Sequence, residues 1–304
     1  MKKVLVCGHT NVETTLAIEA FPIEYSPICY PFFGIQTAVA GVGYNIAKAL
    51  TTLGSPISFL TLVGQDLSGQ QVLHQARADG LPGDNIVAGM PQTAQSVILY
   101  DKQGKRQGHT DLKDVQERPY PPERFQQALQ ESDWAILSNV NYTRPFLTQA
   151  QQANLPIATD VHTIATLDDA YNRDYMAAAT ILFMSDERLP LPPEQWAKKV
   201  QQTFGTEIVV IGLGAAGALL AVKTDNFCER LPAMPVRPIV NTIGAGDALF
   251  SAFNHFYRKT GNPYTSLQKA ILFAAYKIGT AGAATGFLTE MELLQLAEKV
   301  KSEK

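Results

Sequence analysis

Cysteine is scarce in this chain: Cys7, Cys29 and Cys228 are all there is, and they are scattered. An odd, unpaired set argues against a disulfide framework, lacks the spacing of a structural zinc site and fits a reducing, cytoplasmic setting. Charge of one sign is missing too. The formal net charge is −3, so the basic footprint of a nucleic-acid binder is absent. No apolar run suits a bilayer. The most continuous apolar stretch, IVVIGLGAAGALLAV at residues 208–222, is interrupted by glycines and falls short of the ~18–20 residues a span needs. It reads as two buried strands joined by a turn. The opening MKKVLVCGHTNVE has the outline of a secretory signal, but its apolar core is far shorter than the ~7–15 residues such a segment requires; it reads as a first β-strand. Linkers, repeats and low-complexity tracts are also lacking, so residues 1–304 are expected to form one domain.

What is present suits a sizeable core: 46% hydrophobic and 17% charged residues. Short apolar or β-branched runs at 4–7, 57–63, 134–137, 157–159, 181–184 and 208–211 read as buried strands. Helical patterns at 45–52, 67–79, 122–131, 144–153 and 196–204 lie between them. This alternation predicts an α/β fold with a mostly parallel sheet covered on both faces. After Asp247 the chain reads as helical, over 247–259, 265–284 and 290–301. Two stretches break the rhythm. Residues 11–39 carry prolines, aromatics and β-formers without a helical face. Residues 91–110 read as a hairpin turning at DKQGKR. Both are expected in a small β-sheet standing off the main layer as an insertion or lid.

Gly212–Leu213–Gly214–Ala215–Ala216–Gly217 spells the G-x-G-x-x-G of dinucleotide-binding sites. That fingerprint requires a helix to begin inside it and pack back on the sheet. Here a single strand, a turn and two prolines follow, with no room for a crossover helix. The motif reads as a glycine hairpin whose backbone could still line a nucleotide pocket. NTIGAGDALF, residues 241–250, is different, because an amphipathic helix follows it. Its glycines lie at a helix N-terminus, where unpaired N–H groups and the dipole favour an anion. Asp247 in the first turn is either a cap or a general base beside an anion hole. A second glycine cluster, AGVGYNIAKALTTLG, opens another helix, with Asn45 in its first turn.

These two clusters together resemble the signatures of the ribokinase/PfkB carbohydrate and nucleoside kinases. Gly41, Gly43 and Asn45, with the spacing to Gly54 and Gly64, match the first signature; Gly244, Ala245, Gly246 and Asp247 match the core of the second. GLGAAG falls at the family's nucleotide-site turn, CGHTNVE resembles its first strand and substrate loop, and QTAQSVILYDKQGKR its lid hairpin. The resemblance covers essentially the whole chain. It implies a ribokinase-like fold with a small β-sheet lid, and ATP, with Mg2+, along the carboxyl edge of the sheet. Gly212, Gly214 and Gly217 would line the nucleotide site. Backbone N–H groups around Gly244, Ala245 and Gly246 would meet the γ-phosphate, and Asp247 would take the proton of a substrate hydroxyl. Asn11, Glu13, Gly41, Gly43 and Asn45 would hold the hydroxyls of a small sugar or nucleoside. The exposed lid sheet is an expected homodimer surface.

Four departures from the family pattern stand out. Asn241 replaces the aspartate that helps bind the ion in cation-activated members, which argues against a monovalent-cation requirement. Glu13 is one methylene longer than the usual aspartate. The Asn-x-x-Glu motif that organises Mg2+ is replaced by Ser185–Asp186–Glu187–Arg188. There Glu187 or Asp186 stands in, through water, or else the acids are a solvated helix start. Gly212 replaces a threonine. The departures leave open a nucleoside kinase and a catalytically weak regulator that binds a sugar or nucleoside. Of the histidines, His74 and His255 read as packed or surface positions within helices. His9 and His162 each follow a strand at the carboxyl edge, where ligands bind in open α/β sheets. Lys102, Lys105 and Arg106 read as solvating the hairpin turn, or else as meeting a sugar phosphate, with nothing to single one out.

Overall fold

The computed structural model describes residues 2–302. From the start of the chain come β1 (Lys3–Cys7), β2 (Asn11–Ala17), β3 (Ile35–Ala40), α1 (Val42–Thr52), β4 (Ile57–Gly64), α2 (Leu67–Ala78) and β5 (Ile86–Met90). Next are β6 (Gln95–Tyr100), β7 (Arg106–Asp111), α3 (Pro122–Gln130), β8 (Ser132–Leu137), α4 (Arg144–Gln152), β9 (Ile157–Asp160) and α5 (Arg173–Ala178). The last third holds β10 (Ile181–Ser185), α6 (Pro193–Phe204), β11 (Ile208–Gly212), β12 (Ala218–Val222), β13 (Phe227–Leu231), α7 (Ala245–Thr260), α8 (Pro263–Lys277) and α9 (Glu290–Ser302).

Period-two alternation explains why the strands read as continuous apolar runs. In β1, Val4 and Val6 pack on one face while Leu5 and Cys7 pack on the other, so both faces must be covered. The covers are α1, α2 and α7–α9 on one side and α3–α6 on the other. The large sheet has nine strands in the order β13-β12-β11-β10-β9-β8-β1-β4-β5. It is parallel from β11 to β5 and antiparallel at β11–β12 and β12–β13. A separate four-stranded sheet has the order β3-β2-β6-β7. It is built from the two stretches that broke the α/β rhythm, and Ile98 of β6 packs against Ile243 and Ala283 beside the large sheet.

Three elements escaped the sequence reading: β5, α5 and β13. The helix expected over 265–284 stops at Lys277; Gly279, Gly282 and Gly286 follow, and the latter two take positive φ, which ends a helix. Ser185–Arg188 is not a helix start: Ser185 ends β10 and Asp186–Arg188 turn away from it. His255 is packed as expected, with Nδ1 2.8 Å from Ser55 Oγ and Nε2 3.3 Å from Glu290. His74 is exposed on α2. None of the helices is long and apolar enough to cross a membrane, among the described residues.

Candidate functional site

The carboxyl ends of the parallel strands and the N-termini of α1 and α7 converge. Gly41 caps α1 with φ 102°, and the N–H of Gly43 donates to the His9 carbonyl at 2.8 Å. Gly43 is held to glycine by contact: a Cβ there would sit 2.4 Å from the Gly8 carbonyl carbon. Any side chain would wedge α1 off the end of β1. With α1 so seated, Asn45 Nδ2 donates to Asp247 Oδ2 at 2.7 Å, a buried bond between positions 202 residues apart. The two glycine clusters therefore meet at one carboxylate.

Asp247 lies in the first turn of α7. Gly244, the N-cap, takes φ 74° and packs so tightly that a Cβ would lie 2.4 Å from the Ala283 carbonyl oxygen. Gly246 faces open space, with nothing within 4 Å of the position a Cβ would take. The N–H groups at this end of α7 lack intrahelical acceptors by position, although Ala245 N–H reaches the Thr242 carbonyl at 3.2 Å. An anion can thus approach the backbone over Gly246, with the helix dipole behind it.

The small sheet supplies the opposite wall. Asn11 and Glu13 are both buried on β2, and Asn11 Nδ2 donates to Ser96 Oγ of β6 at 2.9 Å. Burial pushes Glu13 up to about 7, and the Asp247 charge adds to this against Lys277, the Ala283 amide and Arg106. Burial likewise pushes Asp247 up to about 6, opposed by the Asn45 hydrogen bond, His162 and Lys277, while Asp160 adds to the rise. A buried carboxyl group whose proton affinity is raised toward neutral pH suits general-base work.

Several buried polar atoms here have no partner in the chain: both ring nitrogens of His9, Asn11 Oδ1, Asn45 Oδ1, Ser138 Oγ and Asn241 Nδ2. Buried polar groups are otherwise almost always paired. Burial pushes the His9 imidazole down to about 4, so it stands neutral with one donor and one acceptor. His162 is on the rim. It adopts φ 57°, its side chain is half exposed, and its Nδ1 is 3.8 Å from Asp160 Oδ2.

The other predicted positions are placed as follows. Gly212 ends β11, and a 3-10 turn at Gly214–Ala216 leads to β12, a hairpin as read from the sequence. Gly214 has open space on its Cβ side, a Cβ at Gly212 would make ordinary contact with the Met184 carbonyl oxygen at 3.8 Å, and Gly217 is pressed against Leu231, where a Cβ would lie 2.1 Å from the carbonyl oxygen. Glu187 is exposed and its N–H contacts Ser185 Oγ at 3.3 Å. Among the described residues no group of three or more His, Cys, Asp or Glu could hold a metal ion. Such isolated acids as Asp186 and Glu187 would suit only a phosphate-bound, largely hydrated Mg2+.

Two basic residues stand out at this site: Arg106, which the sequence did not separate from its neighbours, and Lys277, which escaped the sequence reading. Arg106, grouped there with the solvating charges of the hairpin, donates to the Thr242 carbonyl at 3.2 Å. Lys102 pairs with Glu19, and Lys105 lies over the Phe21 ring. Lys277 is wholly buried at the end of α8, with its ammonium on the carbonyls of Ile243 and Gly282. A signal for it existed. Leu267, Ala270, Ile271, Ala274 and Lys277 share one helical face, so the lysine lies on the apolar stripe.

A mostly parallel α/β sheet with helices on both faces, a small accessory β-sheet and a glycine-led helix carrying a buried aspartate define a ribokinase-like fold. Residues 1–290 match the model of the pfkB family of carbohydrate kinases, and the chain belongs to that family, as a phosphotransferase acting on an alcohol group. The acarbose 7(IV)-phosphotransferase of Actinoplanes sp. is 27% identical over 307 residues, covering 97% of this chain and 98% of the relative. The bifunctional ribokinase/ribose-5-phosphate isomerase A of Fructilactobacillus sanfranciscensis is 22% identical over 97% of this chain, which spans only 56% of that longer protein. Among solved structures, a microbiome-derived acarbose kinase superposes with a TM-score of 0.88 at 24% identity, covering 98% of this chain and 99% of its own. At that identity the likeness speaks for the fold.

Proposed function

We propose that this chain transfers the γ-phosphate of ATP, with Mg2+, to a hydroxyl of a sugar or sugar-like molecule, and that Asp247 is the general base. The observation that carries this reading is the buried Asn45–Asp247 contact beside the open face of Gly246. It sets a carboxylate of raised proton affinity next to a backbone anion site. Asp247 takes the proton of the attacking hydroxyl. The N–H groups at the start of α7 receive charge on the transferring phosphoryl oxygens. Gly212 and Gly214 line the nucleotide at the β11–β12 turn, where Gly214 leaves open space. Mg2+ would supply neutralisation of phosphate charge, and Glu187 would hold its water shell.

Acceptor recognition falls to His9, Asn11, Glu13, Asn45 and Ser138. The unpartnered donors and acceptors of His9, Asn11, Asn45 and Ser138 suit a polyhydroxylated ring, and the likeness to an acarbose phosphotransferase agrees with a carbohydrate acceptor. A regulator that only binds a sugar would gain nothing from a buried carboxylate with raised proton affinity. The small sheet acts as a lid: Asn11 and Glu13 come from β2 and Arg106 from β7, so its closure completes the site and excludes water. An ADP-release screen of sugars, amino-pseudosugars and nucleosides tests the reading. Turnover of at least one sugar is expected. Turnover of nucleosides alone moves the assignment to a nucleoside kinase, and a rise in melting temperature without turnover moves it to a regulator.

The lid is also the proposed dimer surface. Tyr25, Phe32 and Phe33, in the segment between β2 and β3, are 93%, 85% and 99% exposed, and such aromatic clusters mark interaction sites. Sedimentation of the wild type should show a dimer, and Phe33→Asp should shift it toward monomer. A wild-type monomer at all concentrations would refute this surface.

A further inference from the structure

Lys277 has no place in the scheme above, yet it is one of the largest fully buried side chains. Burying an ammonium is costly, and an apolar side chain of similar size would commonly be as stable or more so. Its acceptors are not carboxylates. Nζ donates to the Ile243 carbonyl by a short bond and to the Gly282 carbonyl at 2.6 Å. These two carbonyls belong to the two loops that meet beneath the start of α7, where Gly244 packs on Ala283. The charges facing the ammonium are Asp247 of α7 and Glu13 of β2, which favour it, and Arg106 of β7 and Arg237, which oppose it.

The Ile243 carbonyl shares a peptide unit with the Gly244 N–H. The unit is planar and trans, so the two groups point in opposite directions. Drawing the carbonyl onto a buried cation aims the N–H away from it. Among the described residues that N–H has no acceptor. Main-chain carbonyls gathered from separate loops around one positive charge are the way a desolvated monovalent ion is held. Here the charge is covalently attached. Asn241 fits a site already filled by a cation: it is neutral, its Oδ1 takes the Ile243 N–H at 3.1 Å, and its Nδ2 is a buried, unpartnered donor.

Building on the kinase reading, we propose that Lys277 is a tethered cation: a positioning residue whose ammonium stands where a free monovalent ion would otherwise brace the anion-hole loop. The enzyme therefore needs no such ion. Wild-type ADP release should be the same in K+, Na+ and choline salts. Lys277→Ala should lower kcat by about 10²-fold, the scale of losing one oriented oxyanion donor. Ammonium, methylammonium or K+ should restore activity at least about tenfold, and choline, too large for the space, should not. The same small cations should raise the melting temperature of Lys277→Ala more than that of the wild type, a readout that needs no turnover.

Lys277→Met guards against a variant that merely unfolds. It fills the space with apolar volume, so it should melt no lower than the wild type while losing kcat without rescue. Wild-type kcat in Lys277→Met, or no cation effect on either readout of Lys277→Ala, overturns the tethered cation and leaves the kinase reading intact. A cation-dependent melting temperature in Lys277→Ala, with no wild-type turnover of any acceptor, supports the tethered cation and overturns the kinase reading alone.

Discussion

Asp247→Asn should lower kcat by about 10²–10⁴-fold, the contribution of a positioned general base, while the protein melts at a higher temperature near neutral pH. The second half follows from the same chemistry as the first. Burial holds Asp247 up at about 6 against an ordinary value of 3.8, so the folded chain holds this proton more tightly than the unfolded chain does. The stability linked to the group is fully present below the unfolded value. It is lost as pH rises through about 6. Asparagine keeps an oxygen for Asn45 Nδ2 and removes the buried charge, so the lost stability returns. Activity has the opposite sign, because only the deprotonated base accepts a proton. Wild-type kcat/KM should therefore rise with pH to a plateau. Glu13, held up at about 7 partly by the Asp247 charge, shares the titration, so the limb belongs to the pair. In Asp247→Asn the residual rate should lose that limb. Paired pH–rate and pH–melting profiles measure both signs, and a variant that keeps most of the wild-type kcat removes Asp247 from the role of base.

Much of this site was legible because glycine leaves a strong local mark. Gly41, Gly43, Gly244 and Gly246 open two helices, and the spacing of each cluster could be read from the chain. That the helices would bring Asn45 onto Asp247 was not in either cluster; it comes from the packing of α1 beside α7. The large sheet was legible for a similar reason, since strands buried on both faces are continuous apolar runs. The strands missed, β5 and β13, lie at the two edges of that sheet. There one side has no neighbour, and sequences such as IVAGM and FCERL carry polar or small residues. Arg106 and Lys277 were hidden differently. A lysine or arginine is ordinarily a solvated surface group, and only a tertiary contact, to Thr242 or to Ile243, distinguishes these two. The glycines after Lys277 were visible, but the apolar pattern carried the expected helix across them. The break matters, because it frees the Gly282 carbonyl to face the ammonium.

Gly246→Ala should uncouple folding from catalysis, and Gly244→Ala should not. The two glycines are neighbours in one motif, yet their surroundings are opposite. Gly246 lies within α7 without a positive φ, and its Cβ direction is open. Alanine there meets no clash and removes backbone freedom from the unfolded chain, so stability should rise by about 0.4–1 kcal/mol. The same methyl group would stand where phosphate oxygens must approach the N–H groups. Activity should then fall by about 10²–10³-fold, the cost of spoiling an oxyanion-type donor, with KM for ATP raised. Gly244 has φ 74°, and its Cβ would lie 2.4 Å from a backbone oxygen that cannot give way cheaply. Alanine at that position should destabilise the fold by more than about 1 kcal/mol and take activity down with it. Denaturant melts and steady-state kinetics on the two variants separate these outcomes. If Gly246→Ala keeps wild-type kcat and KM, the phosphate does not sit over this turn. If it unfolds more easily than the wild type, the open space beside Gly246 is not free for a ligand at all.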